Sequence, residues 1–319
     1  MSRKLILDVD TGTDDAVAIM LAALHPQLEL LAVTAVNGNV AVTFATDNSL
    51  RVLDFIDRSD IPVFQGSRKP IMRADQPVPR DQRKATGIHV EVLPLPEAHS
   101  VRQPRGAVEF LVETFRDTSE DIALVAVGPL TNVAAAIAAD PDFAANVPEL
   151  IIMGGAHYTG NVTPAAEFNI WGDPEAAAMV FEAGFRKLTL VPLDATFQAL
   201  VTSVQAKALE DLGSNAGIAA SRFIAQRIKG YDSTQPMTTI NSAPVHDAVC
   251  VAFLAAPELL TLRHIHVAIE TQGVHTVGRT VFDVNRRGEG APNCHVAFGA
   301  DAAMFFAMLM DVFKSGATP

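Results

Sequence analysis

Residues 5 to 20 read LILDVDTGTDDAVAIM and join a β-like apolar run to a helical pattern. The run LILDV (5–9) is short and apolar apart from Asp8, as expected of a strand that is buried on both faces. A helix rich in Ala, Ile, Leu and Met is predicted from about Asp14 to Ala23. Such a strand–turn–helix unit is typical of a parallel sheet whose strands are connected by helices.

The same alternation continues through most of the chain. Further apolar runs are predicted to be strands at 28–36, 61–64, 122–127, 150–153 and 187–193. Helical patterns occur between them at about 43–57, 106–115, 132–139 and 174–182. The last third is predicted to contain helices, then strands at 265–269 and about 276–283, then a helix from about Asp301. We therefore predict an α/β fold with an open, mostly parallel Rossmann-like sheet, helices on both faces, and a single domain spanning 1–319.

Two irregular segments interrupt this alternation. Residues 66–105 contain many prolines and charged residues with little periodicity, and residues 230–245 are polar and rich in turn-forming residues. Long stretches without secondary structure in a compact domain are usually functional lids or mobile loops. We predict mobile loops at about 66–105 and 230–245.

The composition excludes several classes of protein. With 319 residues, 49% hydrophobic and 19% charged, the chain is typical of a compact globular protein. Its net charge of −12 argues against a nucleic-acid partner, because such binding depends on Lys and Arg. The two cysteines, Cys250 and Cys294, form no CxxC motif, which favours a reducing cytosol. Without a signal-peptide core or an apolar stretch long enough to span a membrane, the sequence predicts a cytoplasmic protein with no membrane partner.

Polar and glycine residues follow four of the predicted strands. These are Asp10, Asn37 to Asn39, Gly128–Pro129 and Gly154–Gly155. In a sheet of this kind, ligands bind beyond the carboxyl ends of the strands. The sequence therefore predicts one site along this edge of the sheet.

Four aspartates, Asp8, Asp10, Asp14 and Asp15, lie within eight positions at this edge. Helix capping explains one or two of them but does not explain Asp10, which follows the strand. Close carboxylates repel each other unless a cation or a proton neutralises them. Oxygen ligands suit Ca²⁺, with Mg²⁺ the weaker choice, and Asp247 is a further carboxylate for such a site.

A different enzyme class matches the same residues in outline. The segment from Asp8 to Thr11 resembles the DxDxT motif of haloacid-dehalogenase-like phosphohydrolases, in which Asp8 would be the nucleophile and Asp10 the acid–base group. However, Asp8 lies within the apolar strand rather than at its end. The sequence also has no convincing downstream lysine and acidic pair, so this interpretation is the weaker alternative.

Six separated motifs occur in order along the chain. They are DVDTGTDDAVAI (8–19), NGNV (37–40), VGPLTNVAAAI (127–137), MGGAHYTGNVTPAAEFNIWGDPEAA (153–177), HDAVCVAFLAAPEL (246–259) and VGRTVFD (277–283). Together they resemble the inosine-uridine-preferring nucleoside hydrolases over nearly the whole chain. This resemblance implies a ribonucleoside substrate, whose N-glycosidic bond is hydrolysed to give ribose and free base. It also implies a homodimer or a homotetramer.

The resemblance further implies the roles of individual residues. The Ca²⁺ ligands would be Asp10, Asp15, the carbonyl oxygen of Val127, and Asp247. The catalytic residues would be Asp10 as general base on a metal-bound water, His246 as acid for the leaving base, and Asn39. The substrate-binding residues would be Asp14, Asn39, Met153, Asn161, Glu167, Phe168, Asn169 and His246.

The chain departs from the family pattern where the base would bind. The segment RKATGIHVEVLPLP (83–96) keeps one glycine and carries a displaced His89, which we interpret as a solvated loop residue. Purine-specific members are expected to stack the base between tryptophans, but this chain has only Trp171, for which packing is the expected role. Tyr231 is predicted either to contact the base or to be an exposed loop residue. These features favour a broad or pyrimidine-tolerant specificity, and a non-catalytic protein that binds ribose and Ca²⁺ is the remaining alternative.

Overall fold

The computed structural model describes residues 2–82 and 86–314. Its strands are β1 (Arg3–Val9), β2 (Leu28–Ala35), β3 (Val63–Gln65), β4 (Ile122–Ala126), β5 (Glu149–Met153), β6 (Leu188–Val191), β7 (Leu200–Thr202), β8 (Ser242–Pro244), β9 (Leu260–Ile265), β10 (Val267–Ile269), β11 (Thr280–Phe282) and β12 (Cys294–Ala300). Its α-helices are α1 (Thr13–Leu24), α2 (Val42–Phe55), α3 (Ala107–Asp117), α4 (Thr131–Ala139), α5 (Phe143–Asn146), α6 (Phe168–Gly172), α7 (Pro174–Glu182), α8 (Leu193–Thr196), α9 (Ser203–Glu210), α10 (Asn215–Thr234), α11 (His246–Ala255) and α12 (Ala302–Lys314). Short 3₁₀ helices lie at Arg80–Gln82 and Pro257–Leu259.

The main sheet has the strand order β3-β2-β1-β4-β5-β6-β12-β9. Neighbouring strands are parallel except at one edge, where β9 runs antiparallel to β12. Two small antiparallel sheets, β7–β8 and β10–β11, accompany it. The strand order reverses between β1 and β4, which is the position where sheets of this type bind their ligands. The predicted fold class is confirmed.

Both faces of the sheet are buried, which explains the continuous apolar runs of the sequence. Alternate residues of β1 point to opposite sides: Leu5 and Leu7 join an apolar layer with helices α1 and α11, and Ile6 joins another with α4 and α7. All three side chains are fully buried. Burying a leucine or isoleucine stabilises a fold by about 1.5–3 kcal/mol. Burying a polar side chain instead costs free energy unless it is hydrogen-bonded, so each polar residue inside these strands needs a partner.

The C-terminal third differs most from the prediction. Strand β12 was not predicted, although it lies between β6 and β9 in the main sheet. The predicted strand at about 276–283 is shorter, since residues 274–278 form a turn and only Thr280–Phe282 pairs with β10. Gly278 has a φ of +81° in this turn, a conformation that favours glycine over other residues.

The two predicted loops have different structures. Helix α10 continues to Thr234 and β8 begins at Ser242, so irregular backbone in the second loop is confined to 235–241. In 66–105, the described residues form one short 3₁₀ helix, while 83–85 lie outside the described part of the chain. The first loop is attached at both ends: Asp173 accepts the N–H of Ile71 at 2.7 Å, and Asp54 accepts that of Ser100 at 3.0 Å. The mobility of both loops remains a prediction. Of the helices described, none combines the length and apolar character needed to cross a membrane.

Candidate active site

A cavity of about 1120 Å³ opens at the carboxyl ends of β1, β4 and β5. Most of the residues that the sequence assigned to a site line it. These are Asp14, Asn39, Val127, Met153, Asn161, Glu167, Phe168, Asn169, His246 and Asp247. Asp10 and Asp15 are fully buried immediately beside this lining. The fold therefore brings the predicted residues together at the point where the strand order reverses.

Three buried carboxylates form the centre of the site. Oxygen atoms of Asp14, Asp15 and Asp247 lie within 4.8 Å of one another. Asp14 and Asp15 belong to the first turn of α1, and Asp247 belongs to the first turn of α11. The N-terminus of a helix stabilises negative charge, so both helices favour carboxylates here. Asp15 also accepts the N–H of Gly12 at 2.8 Å and that of Asp10 at 3.1 Å.

The carboxylate of Asp10 faces the loop after β2. Its Oδ2 accepts the backbone N–H of Asn39 at 2.5 Å, and its Oδ1 accepts the side-chain amide of Asn39 at 3.2 Å. A Cβ atom at Gly38 would lie 2.0 Å from Oδ2 of Asp10, so this loop approaches the carboxylate closely only because residue 38 is glycine. Asn39 therefore fixes the direction of the Asp10 side chain.

The charges of this cluster oppose one another in the protein alone. Burial, followed by repulsion from Asp15, raises the pKa of Asp10 well above its usual range. Burial and the charge of Asp14 raise the pKa of Asp15 to about 6, and burial with the nearby aspartates raises that of Asp247 well above normal. A divalent cation would remove this penalty, and carboxylate oxygens are ligands that Ca²⁺ and Mg²⁺ prefer. Val127 lines the same cavity, and its carbonyl oxygen accepts the side-chain N–H of Asn169 at 2.8 Å. The donor set fits a hard metal ion.

Asp14 has a cationic partner of its own. Nη1 of Arg227 lies 2.7 Å from its Oδ1, and Arg227 is only 1% exposed. Burial disfavours ionisation of Asp14, yet the charge of Arg227, with smaller contributions from His89 and His246, brings its pKa below the usual value. Asp14 therefore ionises more readily than Asp10, Asp15 or Asp247 even when no metal is bound.

His89 is not a solvated loop residue, so our interpretation of it was wrong. Its Nδ1 accepts the backbone N–H of Thr13 at 3.3 Å and lies 3.9 Å from the carboxylate of Asp14. A Cβ atom at Gly12 would be 2.0 Å from this nitrogen, so the ring occupies space that only glycine leaves open. Burial lowers the pKa of His89 to about 4. The side chain is a neutral part of the cavity wall.

His246 is held between two hydroxyl groups. Its Nε2 lies 2.7 Å from the hydroxyl of Tyr231, and its Nδ1 lies 2.7 Å from that of Thr196. Burial, assisted by the charge of Arg227, lowers the pKa of His246 to about 3, so the ring is neutral near pH 7. Tyr231 itself is buried in α10 and lines the cavity, which excludes the exposed loop position.

The segment after β5 holds the remaining polar side chains. Oε2 of Glu167 caps α6 by accepting the N–H groups of Gly155 and Asn169, each at 2.9 Å, and that of Ile170 at 3.3 Å. Asn161 accepts the N–H of Phe168 at 2.9 Å. Burial raises the pKa of Glu167 to about 7 despite these hydrogen bonds.

Trp171 is a packing residue that also borders the cavity. It is buried, and the backbone of the β10–β11 turn lies directly against it, so a Cβ atom at Gly278 would be 2.7 Å from its Cα. This environment agrees with the packing role expected from the sequence.

Asp8 lies outside this site. It is fully buried in β1 and accepts the hydroxyl of Thr34 at 2.5 Å and the amide of Asn132 at 2.8 Å. It does not belong to the cavity lining. A nucleophile must reach its substrate, so this position opposes the phosphohydrolase alternative.

Sequence reasoning missed two residues of the site, Arg227 and Thr196. A signal for Arg227 was present, because the helical spacing of Phe223, Ile224, Ile228 and Tyr231 places this arginine on the apolar face of α10. A charged residue on such a face requires a buried partner. Thr196 follows β6 in an apolar context and carried no comparable signal.

Comparisons with known proteins agree with this geometry. The profile of the "Inosine-uridine preferring nucleoside hydrolase" family matches residues 5–307. A "Pyrimidine-specific ribonucleoside hydrolase RihA" from Shewanella sp. (strain ANA-3) is 38% identical over 315 residues, which cover 98% of this chain and 96% of that protein. The solved structure of the "Plant nucleoside hydrolase - PpNRh1 enzyme" has a TM-score of 0.88 at 30% identity over 100% of both chains. That of the "Purine-Preferring Ribonucleoside Hydrolase from Gardnerella vaginalis" has a TM-score of 0.85 at 29% identity over 98% of both.

Proposed function

Because this chain belongs to the inosine-uridine preferring nucleoside hydrolase family and is therefore a ribonucleoside hydrolase acting on N-glycosidic bonds, we propose that it works with bound Ca²⁺. The observation that supports Ca²⁺ is the group of buried carboxylates beside the cavity, whose raised pKa values reflect burial and mutual repulsion. We propose Asp10, Asp15, the carbonyl oxygen of Val127, and Asp247 as the metal ligands. When bound, Ca²⁺ would orient a water molecule and lower its pKa.

Asp10 is proposed as the general base that takes the proton of the attacking water. A base of this kind must be held in a fixed direction, and two hydrogen bonds from Asn39 do so. On this ground we propose Asn39 as a residue that orients Asp10 and transfers no proton itself. Departure of the nucleobase leaves positive charge on the sugar, and the surrounding carboxylates stabilise that charge.

The ribose is proposed to lie between α1 and the segment after β5. Asp14, Asn161, Glu167 and Asn169 line the cavity from these two sides. Met153 and Phe168 supply apolar contact beneath and beside the sugar. Holding a substrate at several points favours the reactive geometry and so lowers the barrier.

The leaving base is proposed to receive a hydrogen bond from Tyr231, whose hydroxyl is oriented by His246. Burial lowers the pKa of His246 to about 3, so the ring is neutral near pH 7. A neutral imidazole is a weak acid and does not readily protonate the leaving base. The hydroxyl of Tyr231 can instead stabilise the negative charge that develops on the departing base. His246 then contributes by orienting Tyr231 while Thr196 fixes the ring.

We also propose that the enzyme accepts pyrimidine nucleosides. Trp171, the one tryptophan of the chain, packs against Gly278, which leaves no pair of indole rings to stack a purine. The Shewanella relative carries a pyrimidine-specific name, which supports the same choice.

The test follows free base released from uridine, cytidine, inosine and adenosine, with and without a chelator. We expect release that stops on chelation, returns with Ca²⁺ and is lost in Asp10→Ala. Binding of ribose without release of any base would instead support the non-catalytic alternative. Phosphatase activity that disappears in Asp8→Asn would support the phosphohydrolase.

Two expectations about the cellular form remain proposals. Its family membership leads us to propose a homodimer or a homotetramer. Light scattering of the purified protein would measure the molar mass and so distinguish the two. Two buried free cysteines suit a reducing cytoplasm, and fractionation of cells would test that location.

A further inference from the structure

Arg227 is the largest of the fully buried side chains, and no part of the proposed reaction uses it. It lies in the middle of α10, on the face that packs against α1. Burying an unpaired guanidinium is very costly, so such a residue is tolerated only where it is well paired. The nature of its partners therefore indicates what it does.

The partners of Arg227 come from two elements beside the cavity, α1 and β8. Nη1 contacts Oδ1 of Asp14 at 2.7 Å and donates to the hydroxyl of Thr13 at 3.2 Å, both in α1. Nε donates to the carbonyl of Pro244 at 2.8 Å, just before the His246–Asp247 pair of α11. One side chain thus connects the two helix N-termini that supply the carboxylates.

The contact with Arg227 distinguishes Asp14 from the other two carboxylates, Asp15 and Asp247. Oxygen atoms of Asp14, Asp15 and Asp247 all lie within 4.8 Å of one another, so proximity alone would make Asp14 a candidate metal ligand. A cation and Arg227 would then compete for the same carboxylate. The guanidinium, 2.7 Å away, offsets the charge of Asp14 as an ion pair, while Oδ1 of Asp14 receives no hydrogen bond from the described residues.

We propose that Arg227 keeps Asp14 out of the metal site and positions it as an acceptor for a ribose hydroxyl. This inference rests on the proposed Ca²⁺-dependent function and assigns Arg227 as a positioning residue within it. The metal is then bound by the remaining carboxylates, while Asp14 stays available to the sugar.

The experiment measures Ca²⁺ binding by titration calorimetry of metal-free protein, and ribose binding at saturating Ca²⁺. In Arg227→Gln, loss of a positive charge near a divalent cation should tighten Ca²⁺ binding by about tenfold. Ribose binding should weaken by about tenfold, since a hydrogen bond to a charged acceptor has this magnitude. Arg227→Lys keeps the charge, so its Ca²⁺ affinity should stay near that of the wild type. Arg222→Gln, an exposed arginine of the same helix, is the matched control and should change neither value.

The double variant Asp14→Asn/Arg227→Gln shows whether Asp14 is a metal ligand, even if the single variant fails to fold. It removes a buried ion pair as a unit, a change that proteins often tolerate. If Asp14 is not a ligand, Ca²⁺ affinity should stay within about threefold of the wild type while ribose binding is lost. Loss of Ca²⁺ binding by about 100-fold or more would make Asp14 a ligand and overturn the inference.

Two further outcomes separate this inference from the proposed function. If Arg227→Gln weakened Ca²⁺ and ribose binding equally, in step with a fall in melting temperature, Arg227 would be only structural and the inference would be wrong. The wild type would then still bind Ca²⁺ and release base, leaving the proposed function intact. A wild type that bound no Ca²⁺ would contradict both.

Discussion

Replacing Glu167 by glutamine separates the charge of this side chain from its role as a helix cap. Glutamine keeps an acceptor oxygen for the N–H groups of Gly155 and Asn169, which now reach Oε2 at 2.9 Å. It removes the negative charge that burial disfavours. We therefore expect Glu167→Gln to have a larger free energy of unfolding than the wild type at alkaline pH and to bind its substrate more weakly.

The stability effect follows from the raised pKa of Glu167. Burial lifts this pKa from 4.5 to about 7, so the folded protein prefers the protonated carboxyl. The resulting cost is absent well below pH 4.5, develops between pH 4.5 and 7, and is complete above pH 7. At about 1.4 kcal/mol for each tenfold change in the equilibrium, the full cost is roughly 3 kcal/mol, and the part that develops between pH 5 and pH 8 is about 2.5 kcal/mol.

Urea denaturation in the presence of a chelator measures this effect. The free energy of unfolding of Glu167→Gln minus that of the wild type should increase by about 2.5 kcal/mol between pH 5 and pH 8. Other carboxyl groups titrate in both proteins and cancel in the difference. The matched control, Glu182→Gln, changes an exposed glutamate and should show no such pH dependence. A difference that is the same at pH 5 and pH 8 would show that folding does not raise the pKa of Glu167.

The same variant should lose activity. A hydrogen bond to a charged acceptor contributes about 1.5–3 kcal/mol, which corresponds to a fall of roughly 10- to 100-fold in kcat/KM for uridine at pH 8. If kcat/KM at pH 8 were unchanged, Glu167 would cap α6 without contacting the substrate. Gain of stability together with loss of activity is the result that only a functional buried charge explains.

Three other changes probe the rest of the site. Tyr231→Phe removes the hydroxyl bonded to His246, so kcat for uridine should fall about tenfold at constant KM; an unchanged kcat would exclude this hydroxyl from leaving-group stabilisation. Gly12→Ala places a Cβ atom 2.0 Å from the His89 ring, so the ring must move and KM should rise, whereas wild-type kinetics would show that the ring plays no part. Removing divalent cations should lower the melting temperature, and added Ca²⁺ should raise it progressively with concentration, unlike Na⁺ at equal ionic strength.

The sheet was predictable because its strands are buried on both faces. A strand such as β1, with Leu5, Ile6 and Leu7 all fully buried, contains consecutive apolar residues and is therefore visible in the sequence. Strand β12 was not visible, since its apolar positions are interrupted by His295 and Gly299 and it becomes a strand by pairing with both β6 and β9. Pairing of distant segments leaves little local pattern.

The site was predictable to the extent that its residues follow the strands. Asp10 and Val127 come directly after β1 and β4, and Asn39 lies in the loop after β2, so the topology brings them to one edge. His89 was misjudged because its environment is created by Gly12, which lies 77 positions earlier in the chain. Contacts of this kind depend on how a loop folds back and cannot be derived from the composition of the loop.

The arrangement of helices explains why so much negative charge can gather at one edge of this sheet. Asp15 and Asp247 occupy the first turns of α1 and α11, whose N-termini both stabilise anions. Arg227 pairs with Asp14 of α1 and donates to the carbonyl of Pro244, just before α11, and in our proposal this leaves the other carboxylates to a cation. Bond cleavage places positive charge on the sugar. A site lined with carboxylates therefore stabilises the transition state more than the neutral nucleoside. The burial that raises the pKa of Asp10 and Asp247 is therefore a cost in the protein alone, which a bound cation and the positive charge of the transition state would both reduce.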